Sequence, residues 1–279
     1  MNSSFPSLHY DELPLWSAPF GLALLDTIRL QHGMNILDIG SGSGFPMLEI
    51  AERAGASCMI YGIDPSDDAI LMINQKKEAK GMKNVQIVKG FAEKLPFEDN
   101  FFNLIVSNNG INNVEGPEKA LKECFRVSSK GGQMVITVNI PETMIEFYHV
   151  FEETLRKHGM HEEIGKMKDH IFEKRKPVDY IKAQIEESGF TVKHGKLDSF
   201  KYRYVDGTAF FNHFLIRNYF MPSWVSIVPA VSQMKIFNEI ESNLNDTARE
   251  KRGLTITIPF VLIDCEKDFS PLSRKDAKK

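Results

Sequence analysis

Cysteine is scarce and tryptophan scarcer, three and two among 279 residues. Cys58, Cys124 and Cys265 are odd in number and far apart, which excludes a disulfide framework and a zinc ligand set and fits a reducing, cytoplasmic setting. An excess of either charge is also missing. The 34 basic and 37 acidic side chains leave a net charge of −3, so the chain as a whole does not attract a polyanion; only a local patch could bring it to nucleic acid. No window approaches the roughly 18 consecutive apolar residues of a membrane span. The opening Met-Asn-Ser-Ser-Phe-Pro has no basic region before an apolar run, so neither a span nor a signal segment is expected. The final stretch, Ser270 to Lys279, is polar with four basic side chains and is expected to fray. No internal repeat is visible.

What is present is an ordinary globular composition, 42% hydrophobic and 25% charged, in a chain long enough to bury one large core. From Met34 to Thr137 short β-branched runs alternate with helical stretches, the pattern of a parallel sheet covered on both faces. Strands are predicted at Asn35 to Ile39, Cys58 to Ile63, Val85 to Val88, Asn103 to Val106 and Met134 to Val138, the last fed by a Lys130-Gly131-Gly132 turn. Helices start near Pro46, after Ser66 as N-cap, and at Pro117, with Gly55 and Gly81 as stops for the first two. Beyond Pro141 the rhythm changes. Met144, Phe147, Tyr148, Phe151 and Leu155 repeat at helical spacing, a polar helix follows to about Arg175, and Asp179 to Glu187 reads as a sheet-covering helix closed by Gly189. A long strand or hairpin arm spans Phe190 to Tyr204. A helical stretch from about Thr208 to Arg252 precedes the last strand, Leu254 to Ile263.

The chemistry concentrates in Asp38-Ile39-Gly40-Ser41-Gly42-Ser43-Gly44 at the end of the first strand. Glycines let the backbone turn sharply and approach a ligand, and the helix that follows leaves amide groups free at its start. A dinucleotide fingerprint needs a third glycine where Phe45 stands, so NAD is disfavoured, while Asp38 suits an ammonium. Asp64, at the end of the second strand with Pro65 beside it, can accept both hydroxyls of a ribose. The turn Gly90 to Phe97, with Phe91, Ala92 and Glu93, follows the third strand, where an adenine would lie. The fourth strand ends at Asn108 and Asn109, at the switch point where open α/β sheets bind ligands.

Together these segments resemble the UbiE-like, type 11 small-molecule branch of the class I S-adenosylmethionine (SAM) methyltransferases, closely over about residues 34 to 140 and in outline beyond. The resemblance implies a Rossmann-like, doubly wound α/β sheet of seven strands in the order 3-2-1-4-5-7-6 with the last strand antiparallel. The core would comprise about 33–140, 178–206 and 253–266, with helical insertions at about 141–176 and 207–252 forming a cap. It implies SAM as cofactor and S-adenosylhomocysteine as product. Asp38, Gly40, Ser41, Gly42 and Gly44 would surround the methionine part, Asp64 and Pro65 the ribose, Phe91, Ala92 and Glu93 the adenine, and Asn108 and Asn109 the methionine end. The family often has Asp at the positions of Phe91 and Asn103 and a His pair at Asn112 and Asn113, so no imidazole is inferred there.

For the acceptor side, Trp16, Asn112, Phe147, Phe151, Phe210 and Phe214 are the candidate pocket residues, which favours a small apolar or aromatic molecule. His149, His213 and Tyr10 are the weak candidates for a general base, and the first helix around Trp16 reads either as a lid or as ordinary packing. His158 and His161 lack a third ligand, so no metal is expected. Methyl transfer by in-line displacement is the expected reaction, in a monomer or homodimer acting on a small molecule. A nicotinamide oxidoreductase, or a SAM-binding protein without activity, are the alternatives.

Overall fold

The computed structural model describes residues 6–268, with side chains from Trp16 onward. The tail from Ser270 therefore lies outside the described residues. A first helix, α1 (Pro6–Thr27), leads to β1 (Asn35–Ile39), α2 (Met47–Ala54), β2 (Met59–Asp64), α3 (Asp67–Ala79), β3 (Val85–Lys89), β4 (Phe102–Asn108), α4 (Pro117–Val127) and β5 (Ser128–Asn139). β1 pairs in parallel with β2 and β4, β2 with β3, and β4 with β5. β1 and β4 are buried almost throughout, as strands covered on both faces must be. The later elements are α5 (Ile145–Lys157), α6 (His161–Lys174), α7 (Val178–Glu187), β6 (Thr191–Tyr204), α8 (Gly207–Asn212), α9 (Met221–Ile227), α10 (Ala230–Lys251) and β7 (Leu254–Glu266). All seven strands form one mixed sheet in the order β3-β2-β1-β4-β5-β7-β6. Lys267, just past β7, exchanges backbone hydrogen bonds with Gly131 and Gly132 of β5, the reciprocal pairing of antiparallel strands.

Local sequence explains most boundaries. The Ser66 side chain accepts a hydrogen bond from the Ala69 amide and starts α3, while Pro117 occupies the first turn of α4, where no amide partner is needed. One expectation needs correction. Lys130-Gly131-Gly132 is not a turn before β5 but a bulge inside it: Phe102 aligns with Ser128 and Leu104 with Gln133, so β5 holds the extra residues, and Gly131 takes φ +74° to do so. The stretch from Thr208 to Arg252 is helical as expected but segmented: the backbone turns extended at His213, which ends α8, and again at Val228 and Pro229, which separate α9 from α10.

The chain divides into two compact units, residues 1–138, 178–196 and 261–279 in the first and 139–177 and 197–260 in the second. In the first, Leu24, Ile36, Met47, Ile50, Ile60, Leu104 and Val106 are fully buried in one core between sheet and helices. In the second, Phe147, Phe151, Phe210 and Trp224 are fully buried, with Phe147 and Trp224 stacked at 4.0 Å between ring centroids. Trp224 donates its indole N–H to the Tyr148 hydroxyl at 2.9 Å, which satisfies the one polar atom of that ring. The cysteines are free and buried, and among the described residues no helix is long and apolar enough to cross a membrane.

Candidate functional site

β1 delivers the glycine loop to the edge of the sheet, and the loop is pinned to β2. The amides of Gly40 and Ser41 both donate to the Ile63 carbonyl, at 2.9 and 3.2 Å, and the Ser41 hydroxyl donates to the Asp38 carbonyl. Gly40, Gly42 and Gly44 all have positive φ, a conformation that disfavours a side chain. A Cβ on Gly62 of β2 would lie 2.4 Å from the Ser41 Oγ, so this strand glycine lets the loop cross over it. Asp64 at the end of β2 reaches into the same turn: one carboxylate oxygen accepts the Gly42 amide and the other the Ser66 amide, each at 2.9 Å. One amide on each oxygen leaves further acceptor positions on both. Pro65 beside it is exposed.

Asp38 is the electrostatic anomaly of the site. It is buried, and neither carboxylate oxygen makes a hydrogen bond in the described structure. Burial first, and the charge of Asp64 second, push its pKa up to about 7; the Met47 amide at the start of α2, near the carboxylate but outside hydrogen-bond geometry, pulls the other way. A buried carboxylate without a partner is what an incoming cation would satisfy.

The end of β4 closes the other side. A Cβ on Gly110 would lie 2.4 Å from the Ile39 carbonyl oxygen and one on Gly40 would lie 3.1 Å from Gly110 Cα, so the two backbones meet as only glycines can. Sequence reasoning passed over Gly110 and Gly62; a glycine at a strand end or inside a strand was the available signal. Asn108 faces the protein instead of open space. Its amide donates to the Ser17 carbonyl of α1 at 3.1 Å and its carbonyl accepts the Thr137 hydroxyl at 3.0 Å, tying α1 to β4 and β5. Asn109 has φ +58°, and its side-chain oxygen accepts from Asn112, while its backbone carbonyl accepts from Asn113. Asn103 accepts the Asn35 amide and so aligns β1 with β4. Trp16 packs on Phe20 in α1, and Gly21 meets the Phe45 ring, which seats this helix on the glycine loop.

After β3, Phe91 is 65% exposed, an open ring face at the sheet edge, and Ala92 behind it is buried. Glu93 accepts the Gly116 amide at the start of α4. The rest of the turn is held by Arg126 of α4, which donates to the carbonyls of Leu95 and Phe97 and to Glu123 and Asp99, while Glu123 also accepts the Leu95 amide. Phe97 itself packs edge-on against Tyr61 and Phe102.

In the second unit, the candidate pocket residues Phe147, Phe151 and Phe210 are spent on that unit's own core, and Phe214 is half-buried. His149 is exposed beside a groove lined by Glu146, Leu244 and Lys251. His213 sits against the rings of Tyr202 and Tyr204, whose hydroxyls burial shifts to higher pKa, that of Tyr202 to about 12. The Tyr10 side chain lies outside the described residues. His158 pairs with Glu239 at 2.7 Å, and among the described residues no group of three metal-ligating side chains stands together.

A family model for a methyltransferase domain matches residues 30–191, more than half of the chain. The demethylmenaquinone methyltransferase of Geobacillus kaustophilus (strain HTA426) is 32% identical over 124 residues, 44% of this chain and 53% of the relative. That of Bacillus cereus (strain ATCC 10987 / NRS 248) is 34% identical over 125 residues, again 44% and 53%. The match thus spans about half the length of these curated relatives. Among solved structures, the YcgJ protein from Bacillus subtilis superposes with a TM-score of 0.58 at 17% identity, covering 91% of this chain and all of that one. Phosphoethanolamine N-methyltransferase 2 from Haemonchus contortus, solved with phosphomonomethylethanolamine and S-adenosylhomocysteine, gives 0.53 at 15% identity, covering 89% of this chain and 52% of that one. These two show the shared fold. The strand order, the glycine loop and the matched domain together establish that the chain belongs to the methyltransferase-domain family, the class I enzymes whose cofactor is S-adenosylmethionine.

Proposed function

We propose that the chain moves the methyl group of SAM to a small apolar or aromatic acceptor, with a quinone-type ring as the class to which its curated relatives point. The single observation that carries the donor half is Asp38, a carboxylate buried without a hydrogen-bond partner at the head of a glycine loop. Bound there, SAM supplies a methyl group already activated on a sulfonium. The chain then has to hold, align and exclude water. Asp38 faces the methionine ammonium, the free acceptor positions of Asp64 take the ribose hydroxyls, and the exposed Phe91 ring offers a face to the adenine, with Ala92 and Glu93 shaping the turn. Ser41 and the backbone at Gly40, Gly42 and Gly44 complete the methionine side.

Among the acceptor candidates, Phe147, Phe151 and Phe210 are spent in the core of the second unit, which leaves the half-buried Phe214 as that unit's remaining aromatic candidate; in the first unit Trp16 is buried against Phe20 and Asn112 is the polar candidate. His149 and His213 are the base candidates if the atom methylated is a hydroxyl or an acidic carbon. The test is transfer of labelled methyl from SAM to a panel holding a demethylated naphthoquinol, a catechol, an aliphatic thiol and a primary amine. Label on the aromatic members, reduced at least tenfold by Phe214→Ala, is the expected result. Label on the thiol or amine alone would remove the aromatic assignment.

A further inference from the structure

The second unit carries an open cavity of about 710 Å³ that contains none of the cofactor-loop residues. Three arginines line it: Arg203 near the end of β6, and Arg249 and Arg252 at the end of α10. Its one acidic lining residue, Asp206, already serves as the N-cap of α8, accepting the Ala209 amide at 2.7 Å. Arg249 pairs with Asp246 on the exposed face of α10, an ion pair that solvent weakens. Among the described residues no carboxylate pairs with Arg203 or Arg252. In a chain whose net charge is −3, this is a local concentration of positive charge that Asp206 and Asp246 offset only in part.

Arg252 is held at a conformational cost. It closes α10 in the left-handed region at φ +57°, where glycine is the usual occupant, and Gly253 stands next to it. The Gly253 amide returns to the Ala248 carbonyl, so the turn is a regular helix ending that would accept glycine at 252 without strain. Arg249 and Lys251 already provide the basic last turn that a helix C-terminus favours. A third cation in a disfavoured backbone conformation, on the rim of a cavity, calls for another role. Planar guanidinium forks from separate elements suit the oxygens of a phosphate or diphosphate, and the size of the cavity, with Tyr204 and Ala248 in its wall, leaves room for an organic body attached to it.

We infer that this cavity binds the phosphate or diphosphate group of an organic ligand through Arg203, Arg249 and Arg252. The site stands on the second unit alone and does not depend on the acceptor proposed above. The phosphate could be free in solution or carried by a lipid headgroup, so the test has two arms on the full chain: titration with inorganic pyrophosphate, and sedimentation with phosphatidylcholine vesicles containing phosphatidylglycerol. Saturable binding in either arm, weakening with salt and reduced at least tenfold by Arg203→Gln and by Arg252→Gly, is the expected result, and the arm that responds identifies the source. Lys122→Gln, which removes one positive charge from α4, should leave binding unchanged. Arg252→Gly is the informative variant because it relieves the left-handed backbone: the melting temperature should hold or rise while affinity falls. No saturable binding in either arm, or binding that Arg252→Gly and Lys122→Gln alter equally, would overturn the assignment.

Discussion

A carboxylate without partners in a protein interior destabilises the fold around it, and Asp38 is in that position as long as no cation stands beside it. Its pKa is raised from 3.8 to about 7, so the folded chain keeps a proton that the unfolded chain releases. The stability of the ligand-free protein is therefore full below about pH 4 as far as this group is concerned, and falls as pH rises towards 7. The loss amounts to about 4 kcal/mol at pH 8. Asp38→Asn should escape that loss, melting higher than the native chain at pH 8 and similarly at pH 4.5, while binding SAM at least tenfold more weakly. Thermal melts at the two pH values check the first part and calorimetry the second. Gly110 gives a steric counterpart. Its missing side chain makes room for the Ile39 carbonyl 2.4 Å from where a Cβ would stand, and that neighbour is backbone. Gly110→Ala should cost about 2 kcal/mol in a urea titration, within the range of overpacked sites.

At the scale of elements, what the sequence made legible was local. The glycine loop, the N-cap at Ser66, the first-turn Pro117 and the alternation of strands and helices depend on residues a few positions apart, and each is found where those residues stand. Features that depend on distant partners were not legible. Asn108 reads as a ligand contact at a strand end, yet its side chain spans Ser17 and Thr137, which no spacing rule connects to it. Lys130-Gly131-Gly132 has the composition of a turn, but its pairing with β4 makes it a bulge. Arg126 was invisible for the same reason: as a basic residue on an amphipathic helix it looks like solvated surface, whereas it gathers two carbonyls and two carboxylates to fix the turn that carries Phe91. Arg126→Gln should therefore weaken SAM binding several-fold through the adenine end, and raise amide exchange over residues 91–97 more than over the glycine loop. Equal exchange in both segments would show that the residue supports the whole domain and not this turn.

Across the whole molecule, the residues proposed to hold the cofactor belong to one compact unit and the buried aromatic cluster to the other. Trp224→Ala should destabilise the second unit by about 3–5 kcal/mol, the usual cost of deleting a large buried ring. If the units carry separate tasks, that variant should still bind SAM with near-native affinity at a temperature where it remains folded, and lose turnover. Equilibrium dialysis with labelled SAM separates the two effects. The strand-end carboxylate Asp64 and the glycine loop are proposed to form the SAM site. The most direct test of that site is calorimetry with SAM and S-adenosylhomocysteine on the native chain and on Asp64→Ala, with each protein shown to be folded by its melt. Both ligands should bind the native chain, and binding to the variant should be weaker by about 2 kcal/mol or more, on the order of thirtyfold. An unchanged affinity would contradict the assignment.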